Sequence, residues 1–558
     1  MNYQEKYELW KKSDNLDIGL REELEHLSKE EIEDAFYTDV EFQTAGMRGL
    51  MGVGTNRINI HTVRRATQGF ANYLVKRGKG KIAIAYDNRF NSKEMAFDCA
   101  YLLASNGIES FIFPTLRPTP ELSYTVRYYH CDGGIMITAS HNPKEYNGYK
   151  LYDDTGCQLI PTMAAEVIEE INKLDDILGI KPKDDYDKSL IHIVGEEVDE
   201  AYYNDVLGIR MHKDVNKDFR IAFSPEHGTS CIPVETTLKR AGFDVHTVSS
   251  QRNPDPAFSN TKTPNPEERA AYDEVLSLAK EIDADLVLVC DPDGDRMGVG
   301  VKHHGQHVLL NGNQTGAVLI EYILHSYEDL GIKVDNPCIF DTVVTSDIGE
   351  EIARYHGCDC ERTLTGFKYI GNKVRQYEFN HLKTYVFGYE ESYGSLVSPF
   401  VRDKDATQAC LMLSEACAYY LEKGMTLVDV LEDIYRKVGA FYDSQFSIML
   451  PGADGAIKLA KIMENLRDNP LVIPDFTIRR IEDYKLQKAY EGNEISEFKM
   501  HDVADVLKYY LSDGSFVAIR PSGTEPKCKI YLSCKDETIE KAKAKEEKLN
   551  SYLRSVIK

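Results

Sequence analysis

The chain has 558 residues, 42% of them hydrophobic and 28% charged, with a formal net charge of −24. Such a length exceeds one hydrophobic core and predicts roughly three to five domains of ordinary globular composition. The negative excess argues against nucleic acid or an anionic membrane as partner, while a local Arg/Lys pocket could still hold an anionic small molecule. The twelve cysteines include no CxxC pair, and Cys358 and Cys360 lack further ligands at zinc spacing, so all read as reduced thiols. The polar start Met1–Lys6 lacks a signal-peptide core, and no apolar run approaches the roughly 20 residues of a membrane helix. A cytoplasmic location is the expectation.

Residues 1–40 are charged with few breakers and read as an N-terminal helical extension. Strands are predicted at Lys81–Tyr86, Ser110–Phe113 and Gly134–Thr138, separated by helices near Val63–Lys76 and Met95–Ser105. This alternation predicts βαβ units and a parallel sheet. The pattern restarts with strands Phe219–Phe223, Asp244–Val248 and Asp285–Val289 and helices near Ile232–Ala241 and Pro266–Ile282. It restarts again with strands Cys338–Thr342, Asp359–Thr363 and Thr384–Phe387. The last segment differs: helices near Ile457–Leu466 and Ile539–Leu549, and strands Phe516–Arg520 and Lys529–Ser533 flanking a tight loop, with a join near Pro451–Ala453. The expected fold is three similar mixed or parallel α/β domains (41–200, 201–310 and 311–445) and a smaller C-terminal α+β domain (446–558).

Each α/β segment sends a late strand into a chemically rich loop, where ligands of such sheets gather. Gly133–Ile137 leads to Thr138-Ala139-Ser140-His141-Asn142-Pro143, which presents one serine as a candidate nucleophile or phosphate carrier. Adjacency alone does not make Ser140 and His141 an acid–base pair, since neighbours in an extended segment point opposite ways. Ala284–Cys290 leads to Asp291-Pro292-Asp293-Gly294-Asp295-Arg296. Three carboxylates at alternate positions suit one hard divalent cation, and the spacing does not fit an EF-hand. A serine phosphate beside a Mg²⁺ site suggests phosphoryl transfer. Arg296 could hold a phosphate oxygen or pair with the acids. In Thr44-Ala45-Gly46-Met47-Arg48-Gly49, Arg48 is of the type a developing phosphoryl charge needs. Thr365-Gly366-Phe367-Lys368 and Gly388-Tyr389-Glu390-Glu391-Ser392 combine glycines, for close ligand approach, with polar groups for hydroxyls. Arg520-Pro521-Ser522-Gly523-Thr524-Glu525-Pro526-Lys527 is the densest set of phosphate donors in the chain and is not a Walker A loop.

Together and in this order, these loops resemble the α-D-phosphohexomutase family, in its longer phosphoglucomutase/phosphomannomutase branch, from about Thr44 to about Ile530. The resemblance implies three similar α/β domains and a smaller fourth around a central cleft. It implies that Ser140 carries the transferable phosphoryl group, with Mg²⁺ held by Asp291, Asp293, Asp295 and an oxygen of that phosphate. Arg48, Lys150 and His141 are the further catalytic candidates, with Lys150 as the proton-transfer group. Arg296, Thr365, Gly366, Lys368, Glu390, Ser392 and Lys404 would contact the sugar phosphate. Arg520, Ser522, Gly523, Thr524 and Lys527 would grip the phosphate not being transferred. Ala406 follows Arg402-Asp403-Lys404-Asp405 where glycine is common in the family, and Tyr393-Gly394-Ser395 replaces the histidine of short bacterial members. The implied activity is interconversion of glucose 1-phosphate and glucose 6-phosphate through a 1,6-bisphosphate, which would also serve as activator. Phosphomannomutase and phosphopentomutase activities are alternatives, and a metal-dependent sugar phosphatase a more distant one. The expected partners are small sugar phosphates, with a monomer or weak homodimer as the assembly.

Overall fold

The computed structural model describes residues 1–42, 46–450, 455–522 and 527–557. The join expected at Pro451–Ala453 lies outside them. The chain forms two compact units: Met1–Leu310 with Phe367–His381 and Tyr393–Glu422, and Asn311–Gly366 with Leu382–Ser392 and Lys423–Lys558.

The first unit holds two α/β sheets. In one, the strand order is Met47–Leu50, Tyr146–Tyr152, Gly133–Ile137, Lys81–Tyr86, Glu109–Ile112, Ile191–Ile193. Four of these run parallel, as the alternation predicts. Tyr146–Tyr152 and Met47–Leu50 add an antiparallel edge that the sequence did not reveal. The sheet is therefore mixed. Lys150, the expected proton-transfer group, lies in that edge with its side chain only 9% exposed. The other sheet runs Gln306–Leu310, Met297–His303, Leu286–Cys290, Arg220–Ser224, Asp244–Thr247. Its last three strands are parallel and its hairpin antiparallel. Both interiors are apolar, with Ile82, Ile84, Ile135 and Ile137 of the first sheet and Val287 and Val289 of the second fully buried.

Local chemistry sets the helix starts. Asn59 accepts from the His61 and Thr62 amides, each at 3.0 Å, so the helix expected at Val63 begins at Ile60. The helix expected over Pro266–Ile282 is shorter. The Asn265 side chain accepts from the Glu267 amide at 3.1 Å, a turn that competes with helix, and a 3₁₀ turn at Arg269–Tyr272 precedes the helix Asp273–Glu281. The N-terminal extension is three helices, Tyr3–Lys12, Ile18–His26 and Lys29–Phe36. They bury Trp10, Leu24 and Phe36 against Val53 and Leu178, which docks them on the first domain.

In the second unit, Asp359–Thr363, Pro337–Thr342 and Thr384–Tyr389 form a parallel sheet. Two helices that follow its segments in sequence, Phe367–Asn380 and Ala406–Glu422, belong to the first unit. A final antiparallel sheet of seven strands runs Ala440–Met449, Lys527–Asp536, Phe516–Pro521, Leu507–Leu511, Ile478–Asp483, Lys488–Glu491, Glu494–Glu497. Its first strand starts at Ala440, so this sheet begins before residue 446. Helices Gly455–Asp468 and Ile539–Val556 contribute Leu459, Met463, Leu549 and Leu553 to its core.

After the strand Arg220–Ser224, Glu226 and His227 both take left-handed φ, 46° and 60°. Glu226 is fully buried, accepts from Ser224 Oγ at 3.2 Å and from the Thr261 hydroxyl, and burial pushes its carboxyl up to about 8 from 4.5. Below pH 4.5 both folded and unfolded chains hold this proton; between 4.5 and 8 only the folded one does. The contribution to stability is therefore present at low pH and lost as pH rises towards 8, at about 1.4 kcal/mol per unit. Denaturant titrations from pH 5 to 8 should show wild type losing stability relative to Glu226→Gln. A pH-independent difference would mean that Glu226 is ionised in the folded protein.

Candidate active site

The strand Gly133–Ile137 and its loop deliver Ser140, which is buried and left-handed at φ 51°. Its amide donates to Thr138 Oγ1 at 2.8 Å, and its hydroxyl donates to Asp291 Oδ2 at 2.8 Å. Because Ser140 is not extended, His141 does approach it, with Nδ1 at 3.3 Å from Oγ. The argument from alternation fails here for that reason.

The strand Leu286–Cys290 delivers Asp291, Asp293 and Asp295, all buried, with an oxygen or oxygens of each lying within 4.8 Å of the others. Asp291 Oδ1 accepts from the amides of Asp295 and Arg296 at 3.1 and 3.0 Å, which closes the loop on itself. Asp293 Oδ2 accepts from Lys150 Nζ at 2.9 Å and from Thr119 Oγ1 at 3.1 Å. Asp295 Oδ2 pairs with Lys404 Nζ at 3.0 Å and Lys150 Nζ at 3.8 Å. The other oxygens, Asp293 Oδ1 and Asp295 Oδ1, are buried with no hydrogen-bond partner.

Charge crowding follows. Burial, and then the Asp293 and Asp295 charges, push Asp291 well above the usual carboxylate range. Burial and the Asp293 charge raise Asp295 as well, against Lys404 and Lys150. For Asp293 burial is the largest single influence and raises it, but Lys150, the neighbouring Asp291 carboxyl and Lys404 together outweigh burial, and its carboxyl lies below the usual range. Hard oxygen donors with two orphaned oxygens in a crowded acid site fit a divalent cation.

The antiparallel edge that supplies Lys150 also brings in Arg48. Arg48 lies opposite Gly148, two residues from Lys150, so strand alternation puts Arg48 and Lys150 on one face. A Cβ on Gly148 would fall 2.5 Å from Thr138 O and 2.7 Å from Met47 O, so only glycine lets the serine loop and this edge meet. Arg48 is exposed and its Nη1 donates to Asn142 Oδ1 at 2.9 Å. Arg296 turns to Glu267, with Nη1 2.6 Å from Oε1, and is 3.8 Å from Asp295. Lys404 also pairs with Asp403 at 3.0 Å. Lys368 is buried on the helix Phe367–Asn380.

The remaining candidates lie in the second unit. The Gly366 amide donates to Glu390 Oε1 at 3.0 Å, which joins two of the expected sugar loops. Thr365 Oγ1 is buried without a partner, and Ser392 is half-buried. Arg520 is the penultimate residue of one strand, Lys527 begins the next, and the Ser522 amide donates to Lys527 O at 2.8 Å. Gly523 and Thr524, like Thr44 and Ala45, lie outside the described residues.

Sequence reading missed Thr119 and Thr229. Thr119 gives its amide to Asp293 O at 2.9 Å as well as its hydroxyl to Oδ2. Thr229 gives amide and hydroxyl to Pro292 O at 2.8 and 2.9 Å. A Cβ on Gly228 would meet Pro292 Cα at 2.4 Å, so the turn presses backbone on backbone. Both threonines follow the carboxyl end of a strand, Glu109–Ile112 and Arg220–Ser224, and that position was the available signal.

Models of the phosphoglucomutase/phosphomannomutase α/β/α domains I, II and III match residues 39–177, 200–305 and 311–438, and the C-terminal domain model matches 479–549. The chain belongs to this family. A phosphoglucomutase of Staphylococcus epidermidis is 39% identical over 91% of this chain and 92% of its own length. One from Staphylococcus aureus is 36% identical over 95% of each. The fold is shared with a crystal structure of parafusin from Paramecium, at a TM-score of 0.69 and 19% identity, covering 92% of this chain and 94% of that one. It is shared also with a family protein from Burkholderia thailandensis, at a TM-score of 0.67 and 16% identity, covering 92% and 97%.

In this family member the Thr119 hydroxyl and Lys150 both bond to Asp293 Oδ2, which leaves Asp293 Oδ1 buried without a hydrogen bond among the described residues. Thr119→Val should weaken Mn²⁺ binding, read by electron paramagnetic resonance of the free ion, by about tenfold or more. An unchanged affinity would show that Thr119 does not orient the carboxylate.

Proposed function

We propose that this protein is a phosphosugar mutase that interconverts glucose 1-phosphate and glucose 6-phosphate, with Ser140 as the phosphoryl carrier. The observation that carries the reading is the buried, left-handed Ser140 with its hydroxyl 2.8 Å from Asp291 and the acid triad and Lys150 beside it. The names of the relatives favour glucose over mannose or a pentose as the sugar.

In this reading phosphorylated Ser140 gives its phosphoryl group to the free hydroxyl of a bound hexose monophosphate. The bond from phosphorus to Ser140 Oγ breaks as the bond to the sugar oxygen forms. The 1,6-bisphosphate then turns over, and its other phosphoryl group returns to Ser140 Oγ. Lys404 holds positive charge against Asp295 throughout, and Lys150, with its Nζ 2.9 Å from Asp293 Oδ2, is the candidate proton carrier: in its neutral form it takes the proton of the attacking hydroxyl and passes it to Ser140 Oγ as that oxygen leaves. Arg48 is exposed, and with Nη1 held by Asn142 Oδ1 its guanidinium still has N–H groups to offer the phosphoryl oxygens. Mg²⁺ held by Asp291, Asp293 and Asp295 would supply the charge that balances a serine phosphate. Glu390, Ser392, Thr365, Gly366 and Lys368 are the proposed sugar contacts, and Arg520, Ser522, Gly523, Thr524 and Lys527 the grip on the second phosphate. A cytoplasmic location suits a sugar-phosphate substrate, and no helix among the described residues is long and apolar enough to cross a membrane.

Protein treated with glucose 1,6-bisphosphate and Mg²⁺ should carry phosphate on Ser140 by peptide mass spectrometry and convert glucose 1-phosphate to glucose 6-phosphate. Ser140→Ala should do neither. Release of free phosphate instead would make the protein a phosphatase, and phosphate on another residue would remove Ser140 from the role. Arg520→Ala should raise KM by roughly tenfold, the worth of one charge-assisted hydrogen bond. Wild-type KM in that variant would leave the Arg520–Lys527 loop as a structural turn.

A further inference from the structure

We propose that Arg89 is the positioning residue that holds Ser140 in its left-handed conformation and so aims its hydroxyl at the acid triad. The inference rests on the reading of Ser140 as phosphoryl carrier.

Arg89 follows the strand Lys81–Tyr86, in Asp87-Asn88-Arg89, and its side chain has no exposure at all. A guanidinium has five N–H groups, and here each has an acceptor. Nε donates to Asp87 Oδ2 at 3.1 Å. Nη1 donates to Pro143 O at 2.8 Å and Tyr146 O at 3.0 Å. Nη2 donates to Ser140 O at 2.5 Å and Asn142 O at 2.6 Å. Three of the five therefore go to backbone carbonyls of the loop that carries the serine, and a fourth goes to Tyr146, the first residue of the edge strand that follows it.

Asp87 completes the frame. Its Oδ1 accepts from the Arg89 amide at 3.0 Å and Ser92 Oγ at 2.9 Å, and its Oδ2 accepts from Thr138 Oγ1 at 2.7 Å. Thr138 Oγ1 in turn accepts from the Ser140 amide at 2.8 Å. The Ser140 amide and carbonyl are thus both tied, through Thr138 and Arg89, to one buried ion pair. The Phe258 ring lies 5.3 Å from the guanidinium, and Asn88 Nδ2 donates to Asp255 O at 3.0 Å, so a loop that follows the second sheet's strand Asp244–Thr247 closes over the pair.

The energetics give this frame its direction. A serine at φ 51° is strained, because a side chain is disfavoured in the left-handed region. Relaxing it would turn the Ser140 carbonyl away from Arg89 and leave a buried, charged N–H unpaired, a penalty of similar or greater size. The strained conformation therefore wins. Arg89 has no N–H left for a substrate phosphate, unlike the exposed Arg48. It acts on the serine through the backbone alone, so its loss should fall on kcat and not on KM.

The test uses the full chain with three substitutions made singly, Arg89→Lys, Arg89→Ala and Thr138→Val, each checked for folding by circular dichroism. The rate of phosphoryl transfer from glucose 1,6-bisphosphate to Ser140 should fall by about 100-fold, the scale of a misplaced reacting group, and kcat should fall with it. KM for glucose 1-phosphate should stay within about threefold of wild type. Added guanidinium ion should restore part of the transfer rate to Arg89→Ala, and methylammonium should not. If Arg89→Lys fails to fold, Thr138→Val carries the test. A folded variant that transfers at the wild-type rate, or one in which KM rises while kcat holds, would overturn the proposal. Failure of the underlying reading is separate and visible in wild type, which would then take no phosphate on Ser140.

Discussion

Three carboxylates brought within one buried site cannot all be ionised without matching positive charge, and the first unit is arranged around that requirement. Asp291, Asp293 and Asp295 leave water at the end of a fully buried strand. Lys150 and Lys404 answer two of the charges from different parts of the chain, an antiparallel edge strand and the segment before the helix Ala406–Glu422. Two amides and a serine hydroxyl are spent on Asp291 alone. The two oxygens left over, on Asp293 and Asp295, are the ones a divalent cation would satisfy. A site held together this way resists any change that moves one charge without the others, because each buried charge relies on its partners.

Backbone shape does as much as side-chain choice in building the site. Ser140 faces Asp291 because it is left-handed, and the same feature brings His141 back towards the hydroxyl. Glu226 and His227 take left-handed φ in succession, so that Gly228 and Thr229 can press on Pro292. Strain of this kind persists only where surrounding contacts over-determine it. Here those contacts are hydrogen bonds with buried polar groups: Arg89 as donor and Asp87 as acceptor under the serine loop, and Thr119 and Thr229 as donors under the acid loop.

Much of this was legible in the chain. The parallel strands and their helices announce themselves by apolar runs and breakers, and Lys81–Tyr86 and Asp359–Thr363 have the bounds their sequences suggest. The serine and acid loops stand out because each follows such a strand. The antiparallel edge did not stand out, because Asn147-Gly148-Tyr149-Lys150 lacks the alternation or apolar run of a strand and pairs with partners that are only partly local. Five of the seven strands in the last sheet were also missed, among them Lys488–Glu491 and Glu494–Glu497, short and partly charged segments that take their form from pairing.

By itself the sequence determined the parallel strands and most of their helices, the order of the chemical loops and the residue kinds each loop carries. Those depend on local propensity and on spacing along the chain, and both are written in one dimension. Only the tertiary structure decided that Lys150 is buried against Asp293, that Arg296 turns to Glu267, and that Arg89 rather than a nearer residue frames Ser140. These are pairings across 143, 29 and 51 positions, and what selects them is the cost of leaving a buried charge or N–H without a partner, which no single residue's identity reveals.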